Sequence, residues 1–340
     1  MYKVSILSLL IANIIFYSTI TAQDLSAPQT FTINTQRDTT LVTSSGTRLE
    51  IEENSFDHSS INNPIKNIKI IVEEALEKDD MILSGVSTES QETALVSDGM
   101  IKVTAKLEER DLNLAKGKSI RVSLPTQDGV DTDMALYELN RGYWEKQKKK
   151  LTFDTCKLII KRIIWEYKKA SKKEYKEWKR STPEQEKPQR LFGGKEINLF
   201  SSPKREYRIP IPIDTIWTCA REDTAFYKFN IQLLGWNNID KPWRFKNSVK
   251  IKIKTNKKVK AFLIIRDKKV CLRGRPVQNF YRFRSIKKNS RIALVCYTVI
   301  NDKILYSIKE MIAKEDATIT VDGLKEISSN DFKKQIEQFR

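Results

Sequence analysis

Residues 155–178 read TCKLIIKRIIWEYKKASKKEYKEW, and how this stretch is read decides the architecture of the whole chain. Apolar side chains fall at Cys156, Ile159, Ile160, Ile163, Ile164 and Tyr167, with Lys and Arg between them. That spacing, i, i+3, i+4, i+7, predicts an amphipathic helix. Tyr175 and Trp178 extend the stripe. Asp154 or Thr155 can cap its start. Thr182-Pro183 and Lys187-Pro188 stop it, because a residue before proline is pushed away from helical geometry. From Arg141 to Pro210 there are 21 Lys and Arg against 9 Asp and Glu, a net of +12. The expectation is a basic helical connector.

The sequence on either side is patterned for strands. Leu49 and Ile51 alternate with Arg48 and Glu50, and Ile68, Ile70 and Val72 alternate with their neighbours. Alternation of this kind marks half-buried strands. Residues 81–87, 94–96, 100–107, 119–124 and 134–139 are further short strand candidates. Asp98-Gly99, Lys116-Gly117 and Asp128-Gly129 give turns between them. The acidic run 73–81 can hold one helical turn. After the connector, residues 225–234 (AFYKFNIQLL) and 249–254 (VKIKIK) alternate again, and several short apolar runs follow. Asn301-Asp302 is a hairpin turn candidate. Residues 330–339 predict a short helix capped by Ser329 or Asn330, with Phe332, Ile336 and Phe339 on one face. Many short strands spaced by turns indicate β-sandwiches. The fold class expected is all-β with a helical connector joining two β-sandwich-like domains.

Charge divides the chain in the same place. Residues 1–140 hold 12 Lys and Arg against 21 Asp and Glu, whereas the remainder is strongly basic and brings the total to +18. An acidic module joined to a basic one has, as partners, nucleic acid, an anionic lipid or glycan surface, or its own acidic half. The N-terminus narrows the choice. Lys3, an apolar run from Val4 to Tyr17 and a small-residue end at Ala22 read as a secretory signal peptide. The competing reading is a retained anchor, which Ser, Thr and Asn within the run dilute. No later stretch approaches a transmembrane helix. Four cysteines, Cys156, Cys219, Cys271 and Cys296, permit disulfides in an exported protein. Cys271 and Cys296 both lie in strand-like runs and are the expected pair, against the alternative of buried free thiols.

Several segments in order carry a resemblance. GTRLEIEENSF (46–56), IKIIVEEALEKDDMILSGVSTES (68–90), LVSDGMIKVTA (95–105), LAKGKSIRVSLP (114–125) and MALYELNRGYW (134–144) resemble a family of uncharacterised exported proteins of Bacteroidetes-type bacteria. That family's sandwich is itself similar to the ZU-type domain of ankyrins and netrin receptors. The likeness covers about residues 39–144, and Asp98-Gly99 stands where the family often has two glycines. Residues 234–240 (LGWNNID) resemble a Gly-Trp-x-Asn-x-Asp signature that follows the first domain in the same family, with Lys241-Pro242-Trp243-Arg244-Phe245 intervening before the usual continuation. The resemblance implies an interaction module rather than an enzyme.

Candidate sites are few. The only histidine, His58, sits in a Ser- and Asn-rich loop without a nucleophile motif, so it reads as a surface residue. Asp128, Asp131 and Asp133 offer oxygen ligands but lack the full Ca²⁺ loop, and a solvated turn is the simpler reading. No CxxC occurs, and no metal or cofactor is expected. The best recognition loop is Gly235, Trp236, Asn237, Asn238 and Asp240 with Trp243 and Arg244, where a flat ring stands beside donors and acceptors; the alternative is a packed Trp and an Asx turn. Lys168, Lys169, Lys172, Lys173, Lys176, Lys179 and Arg180 are the candidate contacts with an anionic surface, or a solvated face of a docked strut.

The chain thus divides into a signal peptide at 1–22, a mobile lead at 23–38 and an acidic ZU-like sandwich at 39–144. The basic helical connector and loop follow at 145–214, a basic sandwich at 215–325 and a short helix at 326–340. The function expected is non-catalytic binding or structural organisation in the bacterial periplasm or at the cell surface. The partner expected is an envelope protein or an anionic glycan or lipid surface. An envelope glycan enzyme using carboxylates is the alternative, and a nucleic-acid or anionic-surface binder acting through the connector comes third.

Overall fold

A computed structural model describes residues 28–57, 67–126, 129–149, 151–156, 159–181, 207–219, 224–301 and 303–340. The signal segment 1–22 and His58 lie outside the described residues. In chain order the first part runs β1 (Gln29–Asn34), β2 (Thr39–Val42), β3 (Arg48–Ile51), β4 (Asn67–Ala75), α1 (Lys78–Ser84), β5 (Leu95–Leu107), β6 (Arg110–Leu112), β7 (Ile120–Thr126), β8 (Ala135–Asn140), β9 (Tyr143–Lys146) and β10 (Thr152–Cys156). Then come β11 (Ile159–Ala170), α2 (Lys172–Ser181), β12 (Tyr207–Cys219), β13 (Thr224–Ile231) and β14 (Gly235–Pro242). The rest is β15 (Ser248–Lys254), β16 (Lys260–Ile265), β17 (Val270–Arg273), β18 (Arg275–Val277), β19 (Phe280–Lys287), β20 (Arg291–Ile300), β21 (Lys303–Ile312), β22 (Ala317–Thr320), β23 (Lys325–Ile327) and α3 (Ser329–Glu337). The architecture is all-β, built from sandwich-like pairs of sheets.

Sheet I has the order β1-β4-β5-β14-β8-β9, with β6 added on β5. Sheet II has the order β10-β13-β7-β3-β2. Leu49, Ile70, Val103, Val122, Tyr227 and their neighbours fill the space between these two sheets. Sheet III runs β17-β16-β20-β21-β23 and sheet IV runs β18-β19-β15-β22. Between them lie Ile251, Ile253, Leu263, Phe283 and Leu294.

A third apolar layer joins the two sandwiches. Leu95, Met100, Tyr137 and Trp144 on sheet I meet Phe262, Ile264, Val295 and Tyr297 on sheet III, with Met81 and Ile82 of α1 and Phe332 and Ile336 of α3 wedged between. Sheet III is therefore covered on both faces. Its strands show it: KAFLII of β16 and RIALVCYTVI of β20 are buried at consecutive positions, whereas SVKIKIK of β15 alternates buried and exposed. Continuous apolar runs are the signature of two-sided burial, and alternation that of a sheet with one wet face. Each fully buried Phe, Leu or Ile contributes about 1.5–3 kcal/mol, so the shared layer adds to the stability of the whole.

The structure corrects several expectations. Residues 159–170 are a strand, not a helix. β11 pairs with β12 from Ile159↔Cys219 to Ala170↔Tyr207. Ile at 159, 160, 163 and 164 satisfies helical spacing, but β-branched residues lose side-chain freedom in a helix and suit a strand. The helix is confined to α2, where Ser171 N donates to Glu174 Oε2 at 2.7 Å and Glu174 N donates to Ser171 Oγ at 3.3 Å, a capping box. β10 pairs with β13 as far as Cys156↔Thr224, and β11 and β12 form a two-stranded arm of their own between them in the chain.

The domain boundary also moves. β13 pairs with β7, and β14 with β5 and β8, so residues 224–242 complete the first sandwich rather than opening the second. At the start, β1 pairs with β4 and belongs to sheet I rather than to a mobile lead. Residues 81–84 end α1 rather than starting a strand. Asp98-Gly99 is a bulge within β5, opposite Ile239 and Asp240, not a turn. Gly99 has φ +145°, and a Cβ there would meet Leu76 Cδ2 at 3.0 Å and Leu124 Cδ2 at 3.2 Å. Ile300 and Lys303 are register partners at the end of the β20–β21 ladder, with Asp302 outside the described residues, and the C-terminal helix stands with Ser328 as its cap.

Cys271 and Cys296 form no disulfide: both are free and buried. Cys271 is the register partner of Ile264 and faces the layer between the sandwiches, while Cys296 is the partner of Ala261 and faces the layer between sheets III and IV. They stand two strands apart across the sheet, about 9–10 Å, and are offset by three residues along it, on opposite faces, beyond the reach of a disulfide.

Candidate functional site: a basic cleft between the sandwiches

The segment expected to be a recognition loop is a buried strand. β14 lies in the middle of sheet I, and Asn237, Asn238 and Asp240 are 1% exposed or less. Asn238 Nδ2 donates to Asp240 Oδ2 at 2.5 Å, and Ser97 Oγ donates to Asn238 Oδ1 at 2.8 Å. Burial holds the Asp240 carboxyl well above the usual carboxylate range; the Asp98 charge adds to this and the Ser97 hydroxyl opposes it. Gly235 begins the strand, and Trp236 is half-buried with Lys102 Nζ 5.9 Å from its ring centroid. Asn237, Asn238 and Asp240 order the sheet and are closed to solvent, whereas Gly235 and Trp236 are partly exposed. Trp243 and Arg244 leave the strand. Trp243 stacks edge-on against Phe245 at 4.7 Å, and both rings line a shallow cleft of about 830 Å³ together with Arg244, Tyr137 and Trp144.

The basic residues expected to meet an anionic surface lie on the arm. Lys169, Lys172, Lys173, Lys176 and Arg180 are exposed. Lys168 and Lys179 belong to the same elements, and their side chains are outside the described part. In the acidic turn Asp131 is ion-paired with Lys241 and Asp128 is outside the described residues; among the described residues no group of three or more His, Cys, Asp and Glu could hold a metal ion.

A larger cleft, about 970 Å³, opens where the first sandwich meets sheets III and IV. Its floor is Tyr297 on β20 and Ala261 on β16; its walls are the β15–β16 loop, the β17–β18 connection and the start of β19. The cations Lys257, Lys258, Lys260, Arg273 and Arg275 point to it, against the single carboxylate of Glu89. Gly274 lets the β17–β18 connection close down on β16. Its N–H donates to Ala261 O at 2.7 Å, and a Cβ there would fall 2.9 Å from Phe283 Cζ and 3.0 Å from Ala261 Cβ.

The charges are not balanced within the cleft. Glu89 is matched by Arg275, 3.3 Å away, whose guanidinium also stacks 3.9 Å over the ring of Tyr143. Burial raises the Glu89 pKa and Arg275 pulls it back. Lys260 is half-buried over the Tyr297 ring at 5.8 Å; burial lowers its pKa, and the neighbouring Arg273 lowers it further. Arg273 Nη1 donates to Gly85 O at 3.4 Å, just past the end of α1, which has no basic residue in its last turn. A helix C-terminus carries about half a negative charge, too little to neutralise Lys260 and Arg273 together. Thr255, Asn256, Gln278 and Asn279 add neutral donors and acceptors, and Phe280 lies half-exposed at the mouth. An anion seated between Lys260 and Arg273 would relieve their mutual repulsion, and the amides beside them would receive hydroxyl groups.

The residues of this cleft were open to sequence reading and were passed over. Arg273-Gly274-Arg275 and Phe280-Tyr281-Arg282-Phe283-Arg284 interleave cations, glycine and rings. They are short and lie apart from the long basic run at 141–210. Comparison with known proteins adds nothing to the geometry: no family model, no curated protein and no solved structure matches the chain.

Proposed function

We propose that this chain is an exported, non-catalytic binding protein of the bacterial cell envelope, and that its ligand is anionic. The observation that carries the reading is the cleft, with five Lys and Arg side chains around one carboxylate that is already paired. A glycan hydrolase of the usual kind needs two carboxylates about 5–10 Å apart, and the lining of the cleft offers one. That composition supports binding over hydrolysis. The exposed cations of α2 and the arm support a second contact with the same anionic surface.

The test is binding at low and high salt to three probes: an anionic polysaccharide, anionic phospholipid vesicles and duplex DNA. The expected result is salt-sensitive binding to the polysaccharide or the vesicles, lost in Lys260→Gln/Arg273→Gln. Binding unaffected by that double substitution would remove the cleft from the function. Release of reducing sugar from the polysaccharide would replace the binding role with an enzymatic one.

A further inference from the structure

The cleft does not end at Phe280. That ring lies at the mouth and is also a neighbour of Lys252, whose Nζ is 5.9 Å from the ring centroid on the outer face of sheet IV. On that face β15 turns Lys250, Lys252 and Lys254 to solvent. The register sets Lys252 directly opposite Arg282 on β19, and Arg282 directly opposite Arg275 on β18. Three cations therefore stand in one row across three strands, about 4.8 Å between neighbouring strands.

Like charges directly opposite one another destabilise a sheet, and an interleaved carboxylate is the ordinary remedy. None is supplied here. Glu89 engages Arg275 at the cleft end, but no ion pair among the described residues involves Lys250, Lys252, Lys254 or Arg282. In the next row Lys254 stands opposite Phe280, and β22 sets Thr318 and Thr320 beside Lys252 and Lys254. The result is a track of cations, hydroxyls and one aromatic edge, continuous with the cleft.

Building on the anionic-ligand reading above, we propose that the ligand is a linear anionic polysaccharide that fills the cleft and continues out over β19 and β15. A small anion would use Lys260 and Arg273 and leave the row on sheet IV unmatched. A membrane surface is flat and would meet sheet IV without entering the cleft. Single-stranded nucleic acid takes its affinity from rings exposed in series, whereas here Phe280 and Tyr281 are half-buried, Tyr297 is buried, and the Tyr281 hydroxyl is held by Val259 N at 3.0 Å. Amides and hydroxyls between the cations suit a hydroxyl-rich chain.

The experiment measures affinity for two series, oligogalacturonates and heparin-derived oligosaccharides, each in short and long members, with single-stranded DNA of equal charge beside them. In at least one saccharide series affinity should rise about tenfold from short to long, the gain expected when a few exposed charge contacts are added. The triple substitution Lys252→Gln/Lys254→Gln/Arg282→Gln should abolish that gain and leave the short member bound as before. All three side chains reach solvent, and circular dichroism with a melting curve confirms that the variant folds. Equal affinity for short and long members would overturn the track while leaving an anionic ligand in the cleft. So would a gain with length that survives the triple substitution. Tighter binding of the DNA would overturn the saccharide class. Failure of both series, short and long, at low salt would overturn the polysaccharide, and the anionic-ligand reading falls with it only if anionic phospholipid vesicles fail to bind as well.

Discussion

Replacing Asp79 by Asn should stabilise the protein at mildly alkaline pH and leave it unchanged in acid. Asp79 is the second residue of α1 and is 3% exposed. Its Oδ2 lies 3.3 Å from Arg340 Nε, and its Oδ1 has no hydrogen-bond partner. Burial and the neighbouring Asp80 raise its pKa from 3.8 to about 6, more than Arg340 pulls it down. Between those two values the folded chain holds a proton that the unfolded chain has released. Stability therefore falls as pH rises through that window and is level above it. The shift corresponds to a cost of about 3 kcal/mol for carrying the ionised group at neutral pH and above. Asn keeps the shape without the charge, and the attraction of Arg340 is already contained in the net shift. The net expectation is a gain of about 2–3 kcal/mol at about pH 8, shrinking to nothing at about pH 4. Urea unfolding of both proteins across that range reads the difference directly, and other carboxylates cancel. A difference independent of pH, or an Asn variant less stable than the parent at about pH 8, would refute the assignment of a raised pKa to this group.

The raised pKa of Asp240 leads to a different expectation for its amide. Asp240→Asn should change stability little at neutral pH, whereas Asp240→Ala, which opens a cavity and leaves the Asn238 amide unpartnered, should cost about 2–4 kcal/mol by urea unfolding. Phe332→Ala should cost about 3–5 kcal/mol. Since Phe332 lies in the layer shared by both sandwiches, calorimetry of the parent should show one transition; two separate transitions would mean that the layer does not couple them. Burial pushes the Cys296 thiol up to about 12 and the Cys271 thiol higher still. Neither should react with a disulfide reagent in the folded protein, and each should react once urea unfolds it.

The all-β character was legible because side-chain alternation is a local property. VKIKIK forms β15 as written, and the continuous runs AFLII and IALVCYT lie in the sheet that is covered on both faces. Failures came where a pattern fitted two periods or where the partner was far away in sequence. Four isoleucines between Ile159 and Ile164 satisfy a helix and a strand alike, and only β12, some forty residues on, decides between them. Asp98-Gly99 has turn chemistry but sits in a thirteen-residue strand, because a bulge needs the same freedom of backbone as a turn. The disulfide failed on side-chain direction: two cysteines in strands of one sheet can face opposite layers. LGWNNID was a good signal for something fixed, yet its polar groups serve one another inside sheet I. The cleft, by contrast, gathers residues from 87 to 299, and no window of sequence contains it.

The arm has a consequence for how this chain can be altered. β10 and β13 are already register partners at Cys156 and Thr224, where the arm departs. A reverse turn of two residues would close that ladder as an ordinary hairpin, with every pairing of sheet II kept. β11, α2 and β12 are thus a cassette plugged into a finished body. It can be shortened in matched pairs of residues, exchanged or removed, and the body beneath would keep its shape while its charge fell sharply.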